Sequence, residues 1–279
     1  MKTVKETHSK TLNFFMIELL MFLAAYLIRI FFNRYIYMIR TKKIWAIIPA
    51  RSGSKRLHKK NTHKFHNKPL ISWTIKSALN SKYIDRIVVS TDDQEISNIS
   101  IKYGAEVPFL RPKSLATDDA SSIDTIINVL GEVEIINQHY EYILLLQPTS
   151  PLRTEIDIDK AIELLEKKSA DSVISVCEVD HPPHWNNTLP DDGNMQLFFR
   201  EDNTNKRSQD YDKYYRLNGA IYLVKTERLL KEKSLFLKTN TFAYCMDRYS
   251  SVDIDTEEDF LVAKCFAKDF LTIKKLDLN

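Results

Sequence analysis

From Ile44 onward the sequence predicts an α/β fold: a Rossmann-like, mostly parallel sheet with helices on both faces and an inserted arm at about 180–215. Three observations predict it. Strand-like and helix-like segments alternate along the chain. The strands read as near-continuous apolar runs, as they must where helices cover both faces of a parallel sheet. Three polar clusters, Arg51–Asn61, Ser90–Asp93 and Gln147–Arg153, fall at the carboxyl ends of predicted strands, where open sheets of this kind bind ligands.

The elements follow in order. Ile44–Pro49 is a buried first strand, and Leu70–Leu79 an amphipathic helix with Leu70, Ile71, Trp73 and Ile75 on its apolar side. Arg86–Ser90 is a strand, and Gln94–Tyr103 a helix stopped by Gly104. Val107–Leu110 is a short strand before Arg111-Pro112, and Ser121–Val129 a helix capped by Ser121 or Ser122. Tyr142–Leu146, Ser172–Cys177 and Asn218–Val224 are strands; Glu155–Glu166 and Thr256–Phe270 are helices. Asp180–Tyr215 breaks the pattern. It is polar, holds Pro182, Pro183 and Pro190, and contains the apolar stretch Met195–Phe199, so it reads as the arm.

Composition narrows the function. The chain has 279 residues, 44% hydrophobic and 28% charged, ordinary for one large α/β domain. Its net charge of +3 is uneven: residues 1–43 carry +6 and the remainder −3. A mildly acidic body argues against a broad nucleic-acid surface. Cys177, Cys245 and Cys265 have no metal-ligand spacing and read as reduced thiols.

Residues 1–43 form a basic, apolar leader ahead of the domain at 44–279. Leu12–Phe32 has the length to span a bilayer, interrupted by Glu18 and Arg29. As an anchor it would keep the following domain on the cytoplasmic face, because Arg34, Arg40, Lys42 and Lys43 follow it. A cleaved signal peptide fits less well, lacking a small-x-small site. The alternative is that Met38 is the working start. Either way the domain is expected in the cytoplasm.

Two patterns carry chemistry. Arg51, Lys55, Arg56, Lys59 and Lys60 surround Ser52-Gly53-Ser54 just after the first strand. A small flexible loop lets backbone N–H groups approach an anion, and the cations neutralise a polyphosphate. In Ser251-Val252-Asp253-Ile254-Asp255-Thr256, extended backbone turns Asp253 and Asp255 to one side and Val252 and Ile254 to the other. Two hard carboxylates at that spacing suit Mg²⁺ already carrying phosphate oxygens, or else cap the helix beginning near Thr256.

Six segments in order, covering about Ile44 to the C-terminus, resemble the acylneuraminate cytidylyltransferases, including the CMP-legionaminic acid synthase-like members. They are Ala50–Lys55 with Lys60-Asn61, Val89–Asp92, Arg111-Pro112 with Leu115–Asp118, Leu146–Arg153, Asn218–Tyr222 and Ser251–Asp255. The resemblance implies a nucleotide-diphospho-sugar transferase type of fold. It also implies transfer of CMP from CTP to the anomeric hydroxyl of a nine-carbon 2-keto sugar acid (a nonulosonic acid), releasing pyrophosphate, by a homodimer. By similarity Arg51, Ser54, Lys55, Lys60 and Asn61 hold the triphosphate, and Arg111 with Ala120-Ser121-Ser122 reads cytosine. Gln147, Arg207 and Gln209 contact the sugar acid, and Asp253 and Asp255 carry Mg²⁺; Arg51, Lys55, Asp253 and Asp255 form the catalytic set. Ser208 stands where the family tends to have a second arginine. Arg56 and His58 stand where it often has smaller residues or proline, and neither is assigned to the site. His181 and His184 either line the acceptor pocket or pack a loop.

The acceptor stays open among sialate, legionaminate and pseudaminate types, with Ala105–Arg111 and His181-Pro182 leaning towards the first two. An eight-carbon acceptor ranks lower, because Lys59-Lys60-Asn61 and Gln147–Pro151 depart from that class. A membrane-tethered nucleotide binder without turnover is the remaining alternative.

Overall fold

The computed structural model describes residues 21, 42–117, 119–132, 140–198, 207 and 210–273. The chain divides into two units, 1–42 and 43–279. The expected spanning segment Leu12–Phe32 and the start at Met38 lie outside the described residues, except Met21. Among the described residues no helix is long and apolar enough to cross a membrane.

In the second unit the strands are β1 (Ile44–Pro49), the short hairpin β2 (Lys64–Phe65) and β3 (Lys68–Pro69), β4 (Arg86–Ser90), β5 (Tyr142–Leu145), β6 (Ser172–Glu178), β7 (Tyr215–Lys225) and β8 (Thr241–Cys245). The helices are α1 (Leu70–Asn80), α2 (Gln94–Lys102), α3 (Ser122–Glu132), α4 (Glu155–Lys168), α5 (Thr226–Glu232) and α6 (Glu257–Ile273). Six strands form one sheet in the order β4-β1-β5-β7-β6-β8. β1 pairs in parallel with β4 and β5, and β6 with β8, while β7 runs antiparallel to β5 and β6.

Alternation along the strands gives each face its own core. Trp45, Ile47, Ile143, Leu145 and Val224 point to one side, where Ile126 and Val129 of α3 and Leu229 of α5 close over them. Helices α1 and α4 contact β1, β6 and β7 and contribute nothing to that cluster, so they cover the opposite face. A smaller core of Leu57, Phe65, Leu70, Trp73, Leu152, Ile254 and Phe260 joins the basic loop, the β2–β3 hairpin and α6. Leu57 and Leu152 bring two of the polar clusters, Arg51–Asn61 and Gln147–Arg153, against this core.

One expectation needs correction. Val107–Leu110 is not a strand. Glu106 alone bridges to Val88, with its N–H donating to Ile87 O at 2.9 Å. Pro108 has no N–H to continue a ladder. The segment instead returns to β4, where Arg111 N donates to Thr91 O at 2.7 Å. The strand β8 and helix α5 also add to the pattern read from sequence. β8 is short and half exposed at the sheet edge, so it carries little of the apolar signature of its neighbours. The arm leaves after β6 and returns into β7, its base closed by Val179 N donating to Tyr214 O at 3.0 Å.

Candidate active site

The ends of β1, β4 and β5 point the same way because they are parallel, so the loops that follow them gather at one edge. After β1, Ala50 N donates to Ser90 O at 2.9 Å, which keeps the basic loop beside β4 for one more residue. There Asp92 takes over. Its two carboxylate oxygens accept from Ser52 N at 2.9 Å and Ser52 Oγ at 2.6 Å. Burial acts to raise the Asp92 carboxyl, but the Ser52 hydrogen bonds outweigh it and hold the group below its usual value. Asn61 fixes the loop from the other end, its Nδ2 donating to Arg51 O at 3.0 Å. Gly53 needs no special backbone angle, and a Cβ there would meet nothing within 4 Å. Side-chain ties thus set the loop's shape.

Opposite this loop stands the acidic segment. Ile254 N donates to Thr149 O at 2.8 Å, stitching it to the loop after β5, and Ile254 itself is fully buried. Burying Val252 and Ile254 turns Asp253 and Asp255 the other way, as the i, i+2 spacing predicts. Asp259 caps the start of α6, accepting from the N–H groups of Asp255 and Thr256 at 3.0 and 2.9 Å. Thr256 Oγ1 accepts in turn from Asp259 N at 3.2 Å, so the capping box belongs to Thr256 and Asp259, which leaves the Asp253 and Asp255 side chains to the cleft.

A cleft of about 540 Å³ lies between the two segments. Arg51, Ser54, Lys55, Lys60 and Asn61 line one side; Gln147, Asp253 and Asp255 line the other. Lys60 crosses it, donating to Ile254 O at 3.0 Å and Asp255 Oδ1 at 2.9 Å. Arg56 also faces it, 3.3 Å from Asp255 Oδ2. Sequence reasoning left Arg56 out, and no spacing rule would have found it, because its direction follows from the fold of the loop. His58 lines an adjoining cavity of about 450 Å³ with Arg51, Ser54, Lys55 and Thr117.

Burial pushes the Asp253 carboxyl above its usual value. A Thr149 hydrogen bond opposes this, the Asp255 charge adds to it, and Lys60 and Arg216 oppose it. Its Oδ1 is buried and accepts no hydrogen bond among the described residues. A buried, unpartnered carboxylate oxygen beside a second carboxylate suits a hard divalent cation. Among the described residues no cluster of three or more acidic, His or Cys side chains could hold a metal alone. The remaining ligands would come from phosphate oxygens and water.

Arg111 is buried behind the loop, donating to Thr125 Oγ1 in the first turn of α3 at 2.9 Å. Burial pulls its guanidinium below the usual value, Asp92 opposing and nearby Arg51 adding to the effect. This brings Arg111 close to the turn that holds Ala120 and Ser122, which is capped by Ser121: its Oγ accepts from Asp124 N at 3.1 Å. Arg207 stands apart from the cleft, exposed and paired with Asp210 at 3.1 Å. Gln209, Ser208 and Asp118 lie outside the described residues. His184 stacks on Tyr211 at the arm's base, with ring centroids 4.7 Å apart, and lines none of the three cavities beside the acidic segment and the loop. Arg216, unassigned from sequence, lines a third cavity of about 470 Å³ that shares Asp253 with the cleft.

A mostly parallel sheet whose strand ends hold a cationic loop against an acidic pair defines a nucleotidyltransferase. The cytidylyltransferase family model matches residues 45–277, and the chain belongs to that family. It is 37% identical to the CMP-N,N'-diacetyllegionaminic acid synthase of Legionella pneumophila over 85% of this chain and 97% of that one. It is 36% identical to the pseudaminic acid cytidylyltransferase of Campylobacter jejuni over 80% and 95%. It is 39% identical to the N-acylneuraminate cytidylyltransferase of Escherichia coli over 79% of this chain and 51% of that one. Among solved structures, a CMP:2-keto-3-deoxy-manno-octonic acid synthetase complexed with CTP shares the fold. It has a TM-score of 0.59 at 18% identity, covering 84% of this chain and 99% of that one.

Proposed function

We propose that the enzyme transfers CMP from CTP to the anomeric hydroxyl of a nonulosonic acid. The observation that carries this is the single cleft lined by Arg51, Lys55 and Lys60 on one side and Asp253 and Asp255 on the other. The attacking hydroxyl oxygen forms a bond to the α-phosphorus. The bond from that phosphorus to the α,β-bridging oxygen breaks, pyrophosphate leaves, and the hydroxyl proton passes to solvent. Charge accumulates on the α-phosphate and on the leaving pyrophosphate, and preorganised cations stabilise it there.

In this reading Arg51, Ser54, Lys55 and Lys60 hold the triphosphate, and Asn61 keeps the loop in shape through Arg51 O. Arg111 and the Ala120–Ser122 turn face cytosine. Gln147 contacts the acceptor, and the family resemblance assigns Arg207 and Gln209 to the acceptor as well. Asp253 and Asp255 hold Mg²⁺, which when bound neutralises phosphate charge and makes the hydroxyl more acidic. The arm supports a homodimer, because Leu189, Met195 and Leu197 expose apolar surface, Leu197 to 87%. The reaction belongs in the cytoplasm, where CTP is held.

Identities of 36%, 37% and 39% to relatives named for pseudaminic, legionaminic and neuraminic acids do not favour one acceptor. The test is pyrophosphate release from CTP with a panel of those acids, with and without Mg²⁺. Turnover of at least one acid, abolished by chelation, is expected. CTP binding without pyrophosphate release for any acid would refute the proposal.

A further inference from the structure

Strand β7 carries an irregularity beside the cleft. Ile174 of β6 pairs with Tyr222 and Val176 with Leu217, so the four residues Asn218–Ile221 stand opposite Ser175 alone. Such an excess bends a strand and breaks its ladder. Side chains satisfy the freed backbone groups. Ser175 Oγ accepts from Ile221 N at 2.8 Å, and Asn218 Oδ1 accepts from Ala220 N at 3.2 Å. Ala220 O accepts from Arg153 Nη1 at 2.8 Å, and the same nitrogen donates to Gln147 O at 3.2 Å. Asn218 Nδ2 donates to Ser251 Oγ at 2.9 Å, which ties the bulge to the segment carrying Asp253. Ser175, Asn218, Ser251 and Arg153 are all buried. The bulge is therefore built and held.

Within it lies Gly219, at φ +74°. A Cβ on Gly219 would stand 2.7 Å from Gln147 Oε1 and 3.5 Å from Asp253 Oδ2. The first distance is a clash, and the second is ordinary contact. The bare Cα is thus a surface against which the Gln147 carboxamide lies, beside the acidic pair. Gln147 has a flexible side chain, so an added methyl would turn its amide aside more readily than it would move the sheet. A carboxamide held in one orientation presents fixed donors and an acceptor, and that is how a site discriminates among polar acceptors.

We propose that Gly219 is a positioning residue for the acceptor, acting through Gln147: its missing side chain sets the Gln147 carboxamide beside Asp253. This rests on Gln147 being an acceptor contact.

Steady-state kinetics on the full chain test it, using CTP and whichever acid of the panel turns over. Gly219→Ala should raise the acceptor KM about tenfold or more and the CTP KM less than about twofold. In a Gln147→Ala background the same change should alter the acceptor KM less than about twofold, because the clashing group is gone. Gly219→Asn guards against a folding defect: asparagine tolerates positive φ better, so it should unfold nearer the wild-type temperature yet keep the raised acceptor KM. Equal losses for CTP and acceptor, or an undiminished effect in the Gln147→Ala background, would overturn the proposal. A crystal structure of the Gly219 variant that folds gives a readout independent of turnover. The carboxamide turned off residue 219 supports the proposal, and one left in place overturns it. Wild-type enzyme that turns over no acid would refute the functional reading while this structural comparison still decides the role of Gly219.

Discussion

Lys60 Nζ lies 2.9 Å from Asp255 Oδ1, across 195 positions of sequence. The cation of the loop and the carboxylate of the acidic segment thus meet directly across the cleft. Lys60 is only 14% exposed, so the pair is well sheltered from solvent on its side. In the proposed function, binding of a triphosphate with its cation would share out these charges, the lysine going to phosphate and the carboxylate to metal.

Lys60→Met should therefore act on both sides of the cleft. It removes the loop-to-segment tie, lowering stability by about 1 kcal/mol, and a phosphate contact, lowering kcat/KM for CTP by about a hundredfold. Thermal unfolding and pyrophosphate release measure the two effects. An unchanged kcat/KM would remove Lys60 from the site.

Asp253→Asn should separate stability from activity. Burial raises the folded-state pKa of Asp253. Its contribution to stability is then full below the ordinary aspartate range, near about 4, and is lost as pH rises through the elevated folded value. The Asn variant does not pay that loss. Without nucleotide or metal it should melt above wild type at pH 7, its advantage growing as pH rises from about 4 and then levelling off. Pyrophosphate release should fall more than about a hundredfold. Melting curves across that pH range check the sign, and a variant less stable than wild type at pH 7 would contradict it.

Asp92→Asn should loosen the basic loop: the amide oxygen can still accept from Ser52 N and Nδ2 can donate to Ser52 Oγ, but both bonds lose the charge of the carboxylate. Losing that charge assistance, about 0.5–1.5 kcal/mol, predicts a CTP KM raised about three- to tenfold with a smaller change in kcat. The folded-state pKa of Asp92 is lowered, so this tie persists above the ordinary aspartate range and is lost only as pH falls through the depressed value. Nucleotide titration at neutral pH therefore compares the variants with the latch intact in wild type.

The arm gives a prediction about assembly. Leu189 and Leu197, 57% and 87% exposed, should be covered in a dimer. Light scattering should show a dimer for the wild type and a monomer of lower activity for Leu189→Glu combined with Leu197→Glu. A fully active wild-type monomer would refute it.

Much of this was legible in the chain. The apolar runs at Ile44–Pro49 and Tyr142–Leu145 declared themselves as strands because both their faces are covered. The alternation in Val252–Asp255 announced which side each carboxylate would take. Other features left no such mark. Arg56 reaches Asp255 only because the loop turns it inward. Val107–Leu110 has strand-like residues, yet Pro108 and the pull of Arg111 towards Thr91 carry it away from the sheet. The tie between Ser52 and Asp92 joins two short polar stretches, neither of which names its partner.

By itself the sequence determined the alternating elements, the three polar clusters at strand ends and the identity of the charged groups, because side-chain period and turn chemistry act over a few residues. Only the tertiary structure decided that β7 runs against its neighbours, that its bulge brings Gly219 onto Gln147, and that Lys60 finds Asp255. Those contacts join residues far apart in the chain, and packing of the whole sheet, not local preference, selects them.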